Sequence, residues 1–375
     1  MPGLFDSFTL KATTLRNRIA ASPMCQYQAE EGRITDWHLP HYTALARGGA
    51  GLVVVEATAV SPEGRITPGD LGLWRDAHTD GVAAIAKAIM DAGAVAGIQL
   101  GHAGRKAGCA PPWEGGAPLD PSDPRAWQPI APSAVPLIPE QPHVPRAMSL
   151  TDIQRVQQDF VDAARRALAA GFQWIELHFA HGFLGQSFLS THSNQRTDVY
   201  GGSLENRARF LVETVAAVRR VWPAHLPLTA RLGVLEFDGH DDVNLAESIQ
   251  VLRWLQAEGL DLVDVGLGFS TQGAVPWAPN LLVDTAAQVA RDTGLKATTS
   301  WLITDAKDAD RAVREGRIDF VMVARRLLDN PHWPRQAALE LGVVEPVLPT
   351  PYAFWLQDWA PQPESLTTET TPEPA

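Results

Sequence analysis

The chain has 375 residues, 45% hydrophobic and 20% charged, enough to bury a large core, and one (β/α)8 domain falls within that length. A formal net charge of −12 without any dense Lys/Arg run argues against a nucleic-acid partner, whose affinity rests on neutralised phosphates. Cys25 and Cys109 are too few for a disulfide framework, the start Met1-Pro2-Gly3-Leu4-Phe5-Asp6 lacks signal-peptide regions, and no apolar run approaches the roughly 20 residues of a spanning helix, so a cytoplasmic protein with no membrane partner is expected.

Short β-branched or apolar runs recur at Arg18 to Ser22, Gly51 to Ala57, Ala96 to Leu100, Trp174 to Phe179, Leu228 to Gly233, Leu260 to Val265, Lys296 to Trp301 and Asp319 to Val323. Most are followed by a segment of helical period, such as Ile153, Val156, Phe160, Ala164 and Leu168. Ser149 with Asp152 predicts a capping box at the start of that helix, and Gly171 suits the position just past its end. Asn244 with Glu247 predicts a second such start ahead of Leu245, Ile249, Leu252 and Leu255. Alternating strands and helices imply a parallel sheet covered on both faces. Eight repeats, with no G-x-G-x-x-G after the first strand, favour a closed (β/α)8 TIM barrel over an open dinucleotide-binding sheet.

The segment from Pro111 to Pro145 holds eleven of the 29 prolines and reads as an excursion after the third strand, part of a long loop over 103–148 that covers the barrel mouth. One domain is expected over 1–361. The Ser/Thr/Pro/Glu-rich residues 362–375 have too few apolar groups to offset ordering entropy and read as a disordered tail.

Chemistry in this fold sits at the carboxyl ends of the strands. Strand one runs into Pro23-Met24-Cys25-Gln26-Tyr27, strand three carries Gln99 into Gly101-His102, and strand four ends at His178-Phe179-Ala180-His181. Strand five carries Arg231, strand seven ends at Ser300-Trp301 and strand eight at Ala324-Arg325. Two histidines three apart at a strand end can aim both rings into one cavity and grip one oxygen. Hydrogen-bonded structural histidines are an alternative, as is a metal site completed by Asp238 or His240. Arg231, inside an apolar run, needs an anionic partner, either a cofactor or a core carboxylate such as Glu176 or Asp264. Arg325 follows strand eight, where barrels often bind phosphate. Cys25, taken alone, reads as a small hydrophobe.

Together these segments resemble the Old Yellow Enzyme family, in its cysteine-containing class that includes bacterial xenobiotic reductases. The resemblance is carried by Pro23-Met24-Cys25-Gln26-Tyr27, Glu56-Ala57-Thr58-Ala59-Val60, Gly64-Arg65-Ile66-Thr67, His102-Ala103-Gly104-Arg105-Lys106, His178-x-x-His181-Gly182, Ser193-Asn194-x-Arg196 and Asn330-Pro331-His332-Trp333. It runs from about Leu4 to Trp359. It implies non-covalent FMN, NADPH (or NADH) as reductant, and electron-poor alkenes, nitro compounds or quinones as acceptors. Pro23, Met24, Ala57, Gln99 and Arg231 would hold the flavin ring, and Ser300, Trp301, Leu302, Ala324 and Arg325 its ribityl phosphate. Cys25 would tune the redox balance, and His178 and His181 would donate to the acceptor oxygen. Tyr27, Phe183, Phe269 and Trp301 would line the acceptor pocket, with Trp355 reaching a neighbouring subunit's site in a homodimer or dimer-based oligomer.

The chain departs from the family pattern twice. Phe183 stands where the family usually has a proton-donating tyrosine, and Leu302 where relatives often carry glycine, which matters if the backbone there needs φ > 0. Two other readings follow from the same residues: a metal-dependent barrel hydrolase using His178 and His181, and a flavin-binding protein whose catalysis has decayed.

Overall fold

The computed structural model describes residues 2–138, 144–271, 273–344 and 347–356. The tail expected at 362–375 lies outside them, as does Trp359. Eight parallel strands close a barrel in chain order: β1 (Ile19–Ala21), β2 (Leu52–Ala59), β3 (Val95–Gly101), β4 (Trp174–Phe179), β5 (Leu228–Leu235), β6 (Leu262–Leu267), β7 (Lys296–Thr299) and β8 (Val321–Val323). Closure comes where β8 pairs with β1, Val321 opposite Ile19 and Val323 opposite Ala21. All eight runs expected from the sequence are strands, with ends moved by a few residues. The TIM barrel is therefore the fold.

Strand period explains which residues face the axis. On β4, Ile175, Leu177 and Phe179 join the large cluster between barrel and helices, whereas Trp174 belongs to a separate inner cluster with Ala20, Leu52, Val54, Leu262 and Met322. An antiparallel pair ahead of the barrel, Phe8–Leu10 with Thr13–Leu15, adds Phe8 and Leu15 to that inner cluster and seals the floor. Trp174 Nε1 donates to Thr229 Oγ1 at 3.0 Å, so the floor's buried indole is satisfied. Above this apolar layer the same inward period delivers Gln99, Glu176, Arg231 and Asp264, all buried.

The helices cover the outside: α1 (His38–Arg47), α2 (Thr79–Asp91), α3 (Leu150–Ala169), α4 (Leu204–Arg219), α5 (Asp241–Ala257), α6 (Val283–Thr293), α7 (Ala306–Arg314) and α8 (Trp333–Glu340). At the start of α3 the Ser149 side chain accepts from the Asp152 N–H, and the Asp152 carboxylate accepts from Ser149 N at 2.8 Å, so the capping box is present. Gly171 follows the helix with φ +90. The start expected at Asn244 is corrected. Helix α5 begins three residues earlier because Asp241 and Asp242 supply acid to its first turn, while Asn244 donates instead to Asp238 at 3.0 Å. Among the described residues no helix is long and apolar enough to cross a membrane.

Replacing Ser149 with Ala removes one half of the box. Urea unfolding is expected to show a loss of about 1 kcal/mol with an unchanged m value.

Candidate active site

At the carboxyl ends of β1, β7 and β8 lies a cavity of about 530 Å³, within the range of organic-cofactor sites. Its walls include Pro23, His181, Arg231, Ser300, Trp301, Leu302, Ala324 and Arg325, eight of the residues expected there. Ala57, His178 and Phe183 border a small adjoining crevice. Met24, Cys25 and Gln99 are not part of the cavity wall. Gln99 is held just below, its Nε2 donating to Glu176 Oε1 at 2.6 Å. Trp355 is 79% exposed, packed edge-on against Phe354, and touches no part of this cavity.

Arg231 meets both of the core carboxylates its position suggested. Its guanidinium pairs with Asp264, Nε donating at 2.5 Å, and lies 3.8 Å from Glu176; it also donates to Ser22 Oγ at 2.9 Å. It borders the cavity all the same. Burial opposes its charge, and the two carboxylates outweigh that, so its pKa is raised. Burial also lifts Glu176, up to about 7, with Arg231 pulling the other way.

His178 is 3% exposed, and its Nδ1 accepts from Ala180 N at 3.3 Å, which leaves Nε2 as the ring's donor. The His181 ring stands 4.9 Å from it in an edge geometry, and its buried Nε2 has no protein partner. Burial drives both imidazoles well below their ordinary pKa, assisted at His178 by Arg231 and Lys106, and at His181 by His178, Arg231 and Lys106. Both are neutral donors at neutral pH. The aromatic wall is continuous: His178 meets Phe183 at 4.7 Å, and His181 meets Phe269 at 5.8 Å and Trp301 at 5.6 Å. Trp301 Nε1 is a second buried donor without a protein partner.

The loop after β1 is positioned by Glu56. A register shift in the β2–β3 pairing falls at this residue. Its buried carboxylate accepts from Gln26 N and from the Tyr42 hydroxyl, each at 2.8 Å. The neighbouring Cys25 thiol interacts with the Tyr27 hydroxyl, and burial, then Asp70 and Glu56, push its pKa up, so it stays protonated. Tyr27 in turn meets Trp113 edge-on at 6.0 Å, which brings the proline-rich excursion to the mouth.

Eight non-glycine residues among those described have positive φ, and four are site residues: Tyr27 (+53), His181 (+61), Phe269 (+50) and Leu302 (+58). Such conformations cost of order 1–3 kcal/mol each and cluster at functional sites. Leu302 does occupy the left-handed region, the condition under which glycine would have suited the position.

Sequence reading missed Trp277, which is 56% exposed, lines the cavity and stacks on Trp301 at 5.5 Å. Its signal was an aromatic flanked by Pro276 and Pro279 in the loop after β6. For the metal reading, Asp238 is engaged by His192 at 2.7 Å, and the described residues contain no group of three or more His, Cys, Asp or Glu positioned to hold a metal.

A polar layer under a cavity with unpartnered donors, at the carboxyl end of a sealed barrel, defines a cofactor-using barrel enzyme. The chain belongs to the NADH:flavin oxidoreductase / NADH oxidase family, whose model matches residues 3–342. It is 40% identical over 341 residues to an NADPH dehydrogenase of Geobacillus sp. (strain WCH70), covering 90% of this chain and 94% of that one. It is 38% identical to the NADPH dehydrogenase of Bacillus subtilis (strain 168), covering 92% and 96%. Among solved structures, morphinone reductase superposes with TM-score 0.75 at 28% identity over 90% of each chain. An old yellow enzyme homologue from Zymomonas mobilis gives 0.74 at 27%, over 90% and 93%. This is a flavin-dependent oxidoreductase with FMN as its non-covalent cofactor, and the site fits that group through its volume, the Arg231 cation in the wall and the unpartnered Trp301 and His181 donors.

His178, buried neutral, ties folding to pH. Its folded pKa lies below the unfolded value near 6.5, so its contribution is complete above that pH and is lost as pH falls below it, by about 1.4 kcal/mol per pH unit. Urea titrations of wild type and His178→Gln between pH 7 and pH 5 are expected to diverge by that slope.

Proposed function

We propose that the chain takes hydride from NADPH and passes it to the β-carbon of α,β-unsaturated carbonyl or nitro compounds, and also reduces quinones. The observation that carries this reading is the pair of neutral imidazoles, 4.9 Å apart, beside a cavity whose wall contains a buried arginine. FMN, when bound, supplies the centre that accepts and returns the hydride. NADH is a second candidate reductant.

The chain's own residues do the rest. Main chain at Pro23, Met24 and Ala57, with Gln99 oriented by Glu176, would hold the flavin ring, and the positive charge of Arg231 would favour the reduced cofactor. Ser300, Trp301, Leu302, Ala324 and Arg325 would hold the ribityl and phosphate end, at the strand-seven and strand-eight loops where barrels commonly bind phosphate. Cys25, kept as a thiol, adjusts the redox balance and is not a nucleophile. His178 and His181 donate to the acceptor oxygen, on which negative charge grows as hydride reaches the β-carbon. Tyr27, Phe269 and Trp301 form flat walls, and Trp355 serves a neighbouring subunit's site in a homodimer or dimer-based oligomer.

Phe183 has no proton to give. Net alkene reduction is then slowed, or depends on water or Tyr27 as the donor, while quinone reduction, which protonates oxygen, is little affected.

Purified protein is expected to be yellow, to bleach under anaerobic NADPH and to regain colour with cyclohexenone; colourless protein, or colour that NADPH cannot bleach, overturns the reading. Replacing both His178 and His181 with Ala is expected to slow reoxidation by the enone at least a hundredfold, about 3 kcal/mol, with a smaller effect on bleaching. Phe183→Tyr is expected to speed enone reoxidation and leave quinone reoxidation unchanged, in stopped-flow traces of the reduced enzyme. Leu302→Gly removes the side chain that would crowd the ribityl phosphate, so FMN is expected to bind apoprotein more tightly by fluorescence titration.

A further inference from the structure

Lys106 sits in the turn after β3, its side chain laid against the loop that follows β4. Its Nζ donates to the His181 carbonyl at 2.6 Å and lies 5.8 Å from the Phe269 ring centroid. The His181 N–H is pinned from the other side by the Leu267 carbonyl at 2.9 Å. His181 is therefore held at both ends of its own peptide units, in a left-handed conformation that is uncommon for a non-glycine residue. Gly182, with φ +70, completes the arrangement: a Cβ there would meet the Phe269 carbonyl oxygen at 2.6 Å, Lys106 Cε at 2.8 Å and Nζ at 2.9 Å, so glycine lets the Phe269 backbone and the lysine both approach this turn closely.

We propose that Lys106 is a positioning residue for acceptor reduction: its ammonium group clamps the His181 carbonyl and thereby aims that imidazole at the acceptor oxygen. The bond is charge-assisted and partly desolvated, hence stronger than a neutral donor's. The charge has a second effect, since it is one of the cations that keep His178 and His181 unprotonated.

The titratable and charged groups facing Lys106 are Arg105 beside it, Glu236 beyond β5, Cys109 in its own loop, and the imidazoles of His178 on β4 and His181 just after it. Burial, then Arg105, lowers its pKa to about 8 against the pull of Glu236 and Cys109. The ammonium is thus present below about pH 8 and lost above it, and the clamp weakens in the same direction. An alkaline limb in acceptor binding follows.

This inference rests on His178 and His181 being the acceptor's donors, and the test separates the two. FMN-loaded wild type, Lys106→Met and Lys106→Arg are compared, with cyclohexenone as acceptor, for the dependence of KM on pH between 6.5 and 9.5, and for ring-nitrogen NMR titration of the histidines in each protein. Wild type is expected to show KM rising about tenfold through pH 8. Lys106→Met should start at the high value with no alkaline limb, and Lys106→Arg should keep the low value with the limb displaced upward. In the NMR titration, Lys106→Met should raise the midpoints of both imidazoles. Wild-type KM and profile in Lys106→Met, with unmoved imidazole midpoints, overturns the proposal. Protein that turns over no enone at all overturns the functional reading instead, and the imidazole titration still decides for or against Lys106.

Discussion

The whole arrangement depends on one buried cation. Arg231 stands on β5 inside the barrel, gripped by Asp264 from β6 and faced by Glu176 from β4, and Gln99 from β3 ties into Glu176. Four adjacent strands are thereby linked through a single polar layer between the apolar floor and the cavity. Removing one member of such a set leaves an uncompensated charge, at a cost of about 3–5 kcal/mol, whereas the intact set contributes little net stability. Its value lies in what it presents upward: a guanidinium whose position is fixed before any ligand arrives, in a place where reorganising it would be expensive.

A second constraint is local. Tyr27, His181, Phe269 and Leu302 hold backbone conformations that side chains resist, and each comes from a different strand-end loop. Regular strands below leave little freedom at the points where these loops begin, so the strain is concentrated in the few residues that must turn side chains toward the axis. The bonds that hold them are traceable, from the Lys106 ammonium at His181 to the Glu56 carboxylate under the Cys25–Tyr27 loop.

Most of the fold was legible because strands buried on both faces read as apolar runs, and eight of them with helical spacers admit few topologies. The capping box at Ser149 was legible because its chemistry is contained in four residues. Asn244 misled for the opposite reason: its side chain serves Asp238, a partner the local pattern does not announce. The histidine pair and Arg231 could be named from residue type and strand position. Whether Arg231 would meet a protein carboxylate or a cofactor could not, since that depends on the relative stagger of β4, β5 and β6. Trp277 and Trp113 were invisible as site residues because long loops bring them in, and loop paths are not encoded in any short-range period.

The hairpin under the barrel carries a consequence for traffic. With Phe8 and Leu15 wedged beneath Trp174 and Phe320, the lower end is stoppered, and whatever enters from above leaves by the same doorway. Under the proposed function, electron donor and electron acceptor would both have to reach the cofactor from that side. A stopper of aromatic rings at one end of the molecule thus confines traffic to the opposite end.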